Sequence, residues 1–138
     1  MSEKKLGFGL MRLPQNSDDP TDINTEELNK MVDLFLSKGF DYFDTSFVYH
    51  NGTSENAIKN ALVLRHKRDE FTLASKFPTF MLLPEEKVDE TFETQLKNCG
   101  VDYFDIYLLH NMNRILYSGI VQETHLFDHM KKLSLIHI

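Results

Sequence analysis

Cysteine is nearly missing from this chain. Cys99 is the only one in 138 residues, so no internal disulfide can form and nothing points to an oxidising compartment. Any excess of positive charge is missing as well. The formal net charge is -6, and phosphate recognition needs clustered Lys and Arg, which excludes nucleic acid as the main partner. The one basic run, Arg65-His66-Lys67-Arg68, is cut off by Asp69 and Glu70 and reads as a solvated helix end. No apolar run approaches the ~18 residues of a membrane span, and the opening MSEKKLGFGL lacks the apolar stretch of a secretion signal. No membrane partner is therefore expected, and the cytoplasm is the default. Glycine-rich turns are scarce too. Gly7-Phe8-Gly9 is the only candidate for an early phosphate-binding turn, and it leads into Met11, Arg12 and a proline loop rather than a helix. That weakens a doubly wound dinucleotide fold.

What is present suits one globular domain: 41% hydrophobic and 26% charged residues. The apolar patterning alternates strand and helix. Leu6 to Met11 reads as a strand and Arg12 to Ile23 as a polar loop. Asn24 or Thr25 can cap a helix to about Lys38, with Leu28, Met31, Val32 and Phe35 inward and Gly39 closing it. Tyr42 to Ser46 is the next strand. Ser54 can cap a second helix, buried through Ala57, Ile58, Ala61 and Leu62. Phe71 to Lys76 is a third strand. Pro84 opens a third helix lined by Val88, Phe92, Leu96 and Cys99 and ended by Gly100. Cys99 there reads as a buried, inert thiol. Tyr103 to Leu109 is a fourth strand, apolar enough for burial on both faces. A last helix runs from about Val121 to Leu133, with Leu126, Phe127, Met130 and Leu133 inward.

Gly39-Phe-Asp-Tyr-Phe-Asp44 recurs as Gly100-Val-Asp-Tyr-Phe-Asp105, a spacing that two βα units of about 30 residues each would produce. Repeated βα units predict a parallel sheet with helices outside. Of the two candidate architectures, the (β/α)₈ barrel draws its catalytic groups from the C-terminal ends of several strands. Asp44, Lys76 and His110 end three successive strand-like runs, which favours the barrel over the open sheet.

Those residues suggest a reaction. Reducing a carbonyl by hydride leaves negative charge on its oxygen, so the site must donate a proton there and stabilise the oxyanion. Tyrosine can do both once an ammonium stabilises its phenolate and a carboxylate holds the ammonium. Tyr49 would be the acid, Lys76 the tuning cation, Asp44 its partner, and His110 a second donor to the carbonyl. Each also has an ordinary structural reading. Asp44 could cap a loop, Tyr49 could be a half-buried aromatic, and His110 could be a satisfied core histidine. Lys76 is harder to dismiss, because a lysine ending a buried strand needs a partner.

The segments Phe43-Asp44-Thr45-Ser46, Tyr49-His50-Asn51-Gly52-Thr53-Ser54-Glu55, Ala74-Ser75-Lys76-Phe77-Pro78 and Leu108-Leu109-His110-Asn111 resemble the aldo/keto reductase family, as does Leu6-Gly-Phe-Gly-Leu-Met-Arg-Leu13. The resemblance covers roughly residues 5–133. It implies a (β/α)₈ TIM barrel using NADPH or NADH, a small-molecule carbonyl substrate, and catalytic positions at Asp44, Tyr49, Lys76 and His110. It places Gly9, Met11, Arg12 and Asp44 at the cofactor, with His110 and Asn111 at the substrate. The Tyr-His-Asn-Gly segment is similar to a bacterial and archaeal branch, some members of which add a C-terminal iron–sulfur segment. One cysteine cannot hold such a cluster, so it would belong only to a longer parent protein.

A whole barrel needs about 250 residues, and only about the first four βα units are countable here. Residues 1–133 are therefore read as the N-terminal half of an NADP-dependent oxidoreductase barrel. The apolar Ser134 to Ile138 is read as an atypical tail, foreign or frame-shifted. A half barrel would expose sheet edges, so the isolated piece is expected to be unstable or to self-associate. The alternative to an enzyme is a catalytically silent scaffold or regulatory subunit on the same barrel.

Overall fold

The computed structural model describes residues 5–121 and 124–137. Four short strands, β1 (Gly7–Gly9), β2 (Tyr42–Asp44), β3 (Thr72–Phe77) and β4 (Ile106–Leu109), form one sheet in the order β1-β2-β3-β4. Every pairing is parallel, with Gly9 opposite Asp44, Asp44 opposite Ala74, and Lys76 opposite Leu108. Parallel neighbours need crossovers, and helices α1 (Thr25–Ser37), α2 (Ser54–Ile58) and α3 (Val88–Cys99) lie in them. After β4 come one helical turn, α4 (Arg114–Leu116), and helix α5 (Leu126–His137).

Local chemistry explains the helix ends. The Asn24 side chain accepts the Glu27 N–H at 2.9 Å and caps α1, while Gly39 follows it at φ 78°. Gly100 closes α3 at φ 70°, and a β-carbon there would meet the Lys59 stem at 3.0 Å, so both conformation and space favour glycine. Pro84 precedes a 3₁₀ turn, Glu85–Lys87, that leads into α3. Ser54 does not cap α2 as expected. Thr53 stands at that position, and the Ser54 hydroxyl is instead buried against Thr45 Oγ1 (2.9 Å) and the Leu10 carbonyl (3.2 Å). Helix α2 then widens into a π turn, Lys59–Val63.

The core lies between one sheet face and the helices. Phe8, Phe35 and Phe43 meet with ring centroids 5.2–5.4 Å apart, pairs that each add about 0.5–1.5 kcal/mol beyond burial. Ile58, Ala61 and Leu62 of the second unit and Phe92, Leu96 and Cys99 of α3 continue it. Burial pushes the Cys99 thiol far above its ordinary value, with the Glu55 charge adding to it, so the thiol is inert. A smaller cluster joins Phe77, Val88, Val121 and Leu126.

Several expectations change. Strand β1 is three residues long, and β4 starts at Ile106 rather than Tyr103. Asp105 explains the late start: its Oδ2 takes the Leu73 N–H at 2.7 Å and Arg68 Nη2 at 2.6 Å. The two echoing segments thus share their left-handed glycines but not their strands, since Tyr42–Asp44 pairs in the sheet and Tyr103–Asp105 precedes it. Strand β4 is not buried on both faces, because it is the edge of the sheet and Leu108 is 40% exposed. Met31 of α1 is exposed rather than inward. Helix α5 begins at Leu126, because Val121 closes a π turn from Tyr117, and it continues past Leu133 to His137. Phe127 faces outward and packs on Tyr117, ring centroids 5.9 Å apart. Ile138 of the expected tail lies outside the described residues.

The basic run is more than a solvated helix end. Arg65 and His66 both reach Asp33 on α1, at 2.6 and 3.0 Å. Arg68 stacks 4.0 Å from the Tyr103 ring centroid while holding Asp105. These side chains join the units.

Candidate active site

Parallel strands bring their C-terminal ends to one rim, and the polar residues that end the apolar runs meet there. Asp44 is the last residue of β2, Lys76 lies one place before the end of β3, and His110 follows β4 directly. Lys76 Nζ donates to Asp44 Oδ1 and, at 2.7 Å, to the Thr45 carbonyl. The pair is only 11% and 24% exposed, so the lysine keeps its charge partner in a poorly hydrated place. Tyr49 comes from the loop between β2 and α2. Lys76 Nζ sits 4.6 Å from the centroid of its ring, over the face where a cation is attracted.

His110 stands edge-on to Tyr49, with ring centroids 5.5 Å apart. Its Nδ1 is 2.8 Å from the hydroxyl of Ser46, which is fully buried. A Ser46 O–H donated to Nδ1 leaves the ring proton on Nε2. Burial pushes the His110 imidazolium down from its ordinary value, and the Lys76 charge adds to that against the opposing pull of Asp44. The ring is therefore neutral at pH 7 and able to donate. Thr79 Oγ1 donates to the His110 carbonyl, and Phe80 stands edge-on to the ring at 5.3 Å.

Tyr49 and His110 border a cavity of about 540 Å³, which Met11, Val48, His50, Phe80 and Asn111 also line. Asn111 takes a left-handed backbone, φ 55°, as it turns away from β4. Gly9 lies across the sheet from Asp44, and a β-carbon added there would meet no atom within 4 Å, so space is open beside the carboxylate. Met11 is exposed on the rim. Arg12 is exposed too but lines a neighbouring pocket of about 380 Å³ with Leu13, Gln15 and Pro20. The structure thus gathers Asp44, Tyr49, Lys76 and His110, puts Met11 and Asn111 in the cavity that Tyr49 and His110 line, and leaves Arg12 in the next.

Three supports escaped the sequence reading. Ser46 orients His110. Gln95 Nε2 reaches Glu55 (2.7 Å), Ser75 (2.8 Å) and the Lys76 carbonyl (3.2 Å), bracing β3 from behind. His50 and Asn51 are both left-handed, φ 51°, a conformation strained for a residue with a side chain, though less so for Asn and His than for most. A tie must hold them. The His50 ring accepts the Leu13 N–H at 2.9 Å and donates to the Pro20 carbonyl at 2.7 Å. A signal did exist for Gln95 and Glu55, since both fall on the apolar stripes of their helices.

The model of the Aldo/keto reductase family matches residues 5–135. The chain belongs to the aldo/keto reductase family. A probable aldo-keto reductase 1 of Glycine max is 30% identical over 117 residues, covering 79% of this chain and 33% of that protein. Aldo-keto reductase family 1 member C21 of Rattus norvegicus is 29% identical over 110 residues, covering 76% and 31%. The chain therefore spans about a third of the length of these curated relatives. Among solved structures, an aldo-keto reductase from Klebsiella pneumoniae in complex with NADPH superimposes with a TM-score of 0.73 at 24% identity, over 95% of this chain and 41% of that one. That likeness shows the fold: the four-stranded parallel sheet is part of a (β/α)₈ barrel. No helix among the described residues is long and apolar enough to cross a membrane.

The aldo/keto reductase site fits the ring end of a nicotinamide cofactor. Gly9 leaves open space beside Asp44, and the neighbouring cavity offers both the Asn111 amide and the apolar Met11. Its lining holds no Lys or Arg. Arg12 lines the adjoining pocket.

Proposed function

We propose that this chain carries the reducing half-site of an NAD(P)H-dependent oxidoreductase acting on small aldehydes or ketones. The observation that carries the reading is the cluster at the strand ends: Lys76 holds Asp44 and sits over the Tyr49 ring, and Tyr49 and His110 line one cavity side by side. The substrate oxygen lies in that cavity and accepts from Tyr49 Oη and His110 Nε2. A nicotinamide bound beside Gly9, Met11 and Asp44 would supply the hydride that the carbonyl carbon receives. As the C=O π pair moves onto oxygen, the Tyr49 hydroxyl gives its proton there and becomes a phenolate. Lys76, above the ring, offers positive charge to that phenolate. Asp44 keeps the ammonium from swinging away, and a solvent proton restores the phenol. His110, held neutral, stabilises the oxyanion without delivering a full charge of its own.

Gly9, Met11 and Asp44 border the cofactor ring in this reading, Arg12 meets its phosphates, and Asn111 joins His110 in orienting the substrate. Tyr49→Phe tests it. The ring and its stacking survive, and the transferable proton is lost. In the full-length protein, kcat for an aldehyde should fall by about 10²–10⁴-fold while cofactor affinity is unchanged. Unchanged turnover refutes the role of Tyr49. Cofactor binding with no turnover of any carbonyl by the protein would favour the silent-scaffold alternative.

A further inference from the structure

We propose that His50 is a positioning residue for Tyr49: its imidazole straps the loop that carries the phenol to the loop that follows β1. The proposal rests on the reductase reading above, although the strap itself does not. Tyr49 and His50 are adjacent, so whatever fixes the His50 backbone fixes the direction from which the phenol enters the cavity. That backbone is left-handed at φ 51° and ψ 47°, and Asn51 repeats the conformation at φ 51° and ψ 36°. Neither is glycine; Asn and His tolerate this region better than most residues, and Thr53 holds the His50 carbonyl locally, but the turn still needs a tie for its ring. The bonds to the His50 imidazole come from far along the chain. Leu13 N–H donates to Nε2 at 2.9 Å and Nδ1 faces the Pro20 carbonyl at 2.7 Å, from residues 37 and 30 positions earlier.

Both partners have fixed polarity. A backbone N–H only donates and a carbonyl only accepts, so the ring must be neutral with its proton on Nδ1. A protonated ring would set two donors against each other at Leu13. The His50 carbonyl is occupied as well, accepting the Thr53 N–H at 3.0 Å and the Thr53 hydroxyl at 2.7 Å. On the other side of the turn, the Tyr49 N–H donates to the Ser46 carbonyl at 3.2 Å, and Ser46 contacts His110. The strap therefore fixes Tyr49 relative to His110. It also fixes Met11 and Arg12, which lie between Leu10, bonded to Ser54, and Leu13, bonded to His50.

The test compares wild type, His50→Gln and His50→Leu. Glutamine can accept from Leu13 and donate to Pro20, whereas leucine can do neither. In this chain, ¹⁵N spectra should show His50 as the neutral Nδ1–H tautomer. A nuclear Overhauser contact between the Tyr49 and His110 rings should persist in His50→Gln and vanish in His50→Leu. In the full-length protein, with NADPH and 4-nitrobenzaldehyde, kcat should fall about tenfold to a hundredfold in His50→Leu. His50→Gln should recover most of it, with KM little moved in either. An Nε2–H or charged ring at pH 7 overturns the strap, as does a Gln variant as impaired as the Leu variant. Wild-type turnover retained in His50→Leu overturns the positioning role. Should His50→Leu fail to fold, the tautomer and the Gln variant still decide. No turnover by wild type, with the tautomer and ring contact as expected, would count against the reductase reading alone.

Discussion

Glu55 carries a carboxylate into the core with no cation among its hydrogen-bond partners, and Glu55→Gln should make the protein more stable at neutral pH. The side chain is fully buried. It accepts from Ser75 Oγ at 2.9 Å, Gln95 Nε2 at 2.7 Å and Asn98 Nδ2 at 3.1 Å. These neutral donors pull its ionisation down, but burial outweighs them and holds the carboxyl above its ordinary value of 4.5. Because the folded value is raised, the native state keeps the proton to a higher pH than the unfolded chain does. The stabilisation is present below the ordinary value and is lost as pH rises through the folded one. Within that window the loss is about 1.4 kcal/mol per pH unit, and it levels off once both states are ionised. Glutamine has nearly the same shape and no such dependence. Its oxygen can accept from Ser75 and Gln95, and its new N–H₂ finds an acceptor if the Asn98 amide turns over. Urea unfolding of both proteins from pH 4 to 8 isolates the effect, because other titrating groups cancel in the difference. The wild type should lose stability relative to the variant as pH rises, ending less stable at pH 8. A flat difference, or one growing in favour of the wild type, would show that hydrogen bonding compensates the buried charge.

Arg68→Ala should cost about 1–3 kcal/mol in thermal or urea unfolding, because it leaves Asp105 without its charged donor and removes the stack on Tyr103; a change within error would make that clasp decorative. Gly100→Ala should cost about 1 kcal/mol or more, since φ 70° strains any side chain and the β-carbon meets Lys59 at 3.0 Å. A neutral substitution there would refute the packing argument. His129 is held above its ordinary value mainly by Asp89, 2.8 Å from Nδ1, with Glu85 assisting. Its clasp between α5 and the start of α3 is therefore strongest below pH 6.5 and is lost as pH rises through the folded value. The stability gap between wild type and His129→Gln should narrow from pH 5.5 to 8.5, and a gap that widens would reverse the sign.

The strand ends were legible because their chemistry is discontinuous: Leu73-Ala74-Ser75 before Lys76 and Tyr107-Leu108-Leu109 before His110 are apolar runs broken by one charged or titratable side chain. The helix-ending glycines were legible for a similar reason, since a left-handed C′ position leaves few alternatives. Strand lengths were not, because hydrogen-bond competition such as that of Asp105 for the Leu73 N–H depends on a partner distant in sequence. Met31 and Phe127 were misplaced because a stripe of apolar residues does not state how wide the covering surface is.

The polar supports behind the site were the least legible, and the reason is specific. Glu55 lies on the stripe formed by Ile58 and Leu62, and Gln95 lies between Phe92 and Cys99 on another. Read alone, each polar residue looks like an interruption at the edge of an apolar face. Read together, two interruptions on facing helices are complementary: the amide donates where the carboxylate accepts, and it also reaches the Lys76 carbonyl. A polar residue on a stripe is thus a question about a partner, and the partner here stands behind the lysine that faces Tyr49. Gln95→Leu should therefore weaken more than the fold. It leaves a buried carboxylate short of a donor, which costs about 1–3 kcal/mol, and it loosens the strand end that aims Lys76. A variant that lost stability while leaving the Lys76 Nζ position over the Tyr49 ring unchanged in a crystal structure would separate the two roles and refute the second.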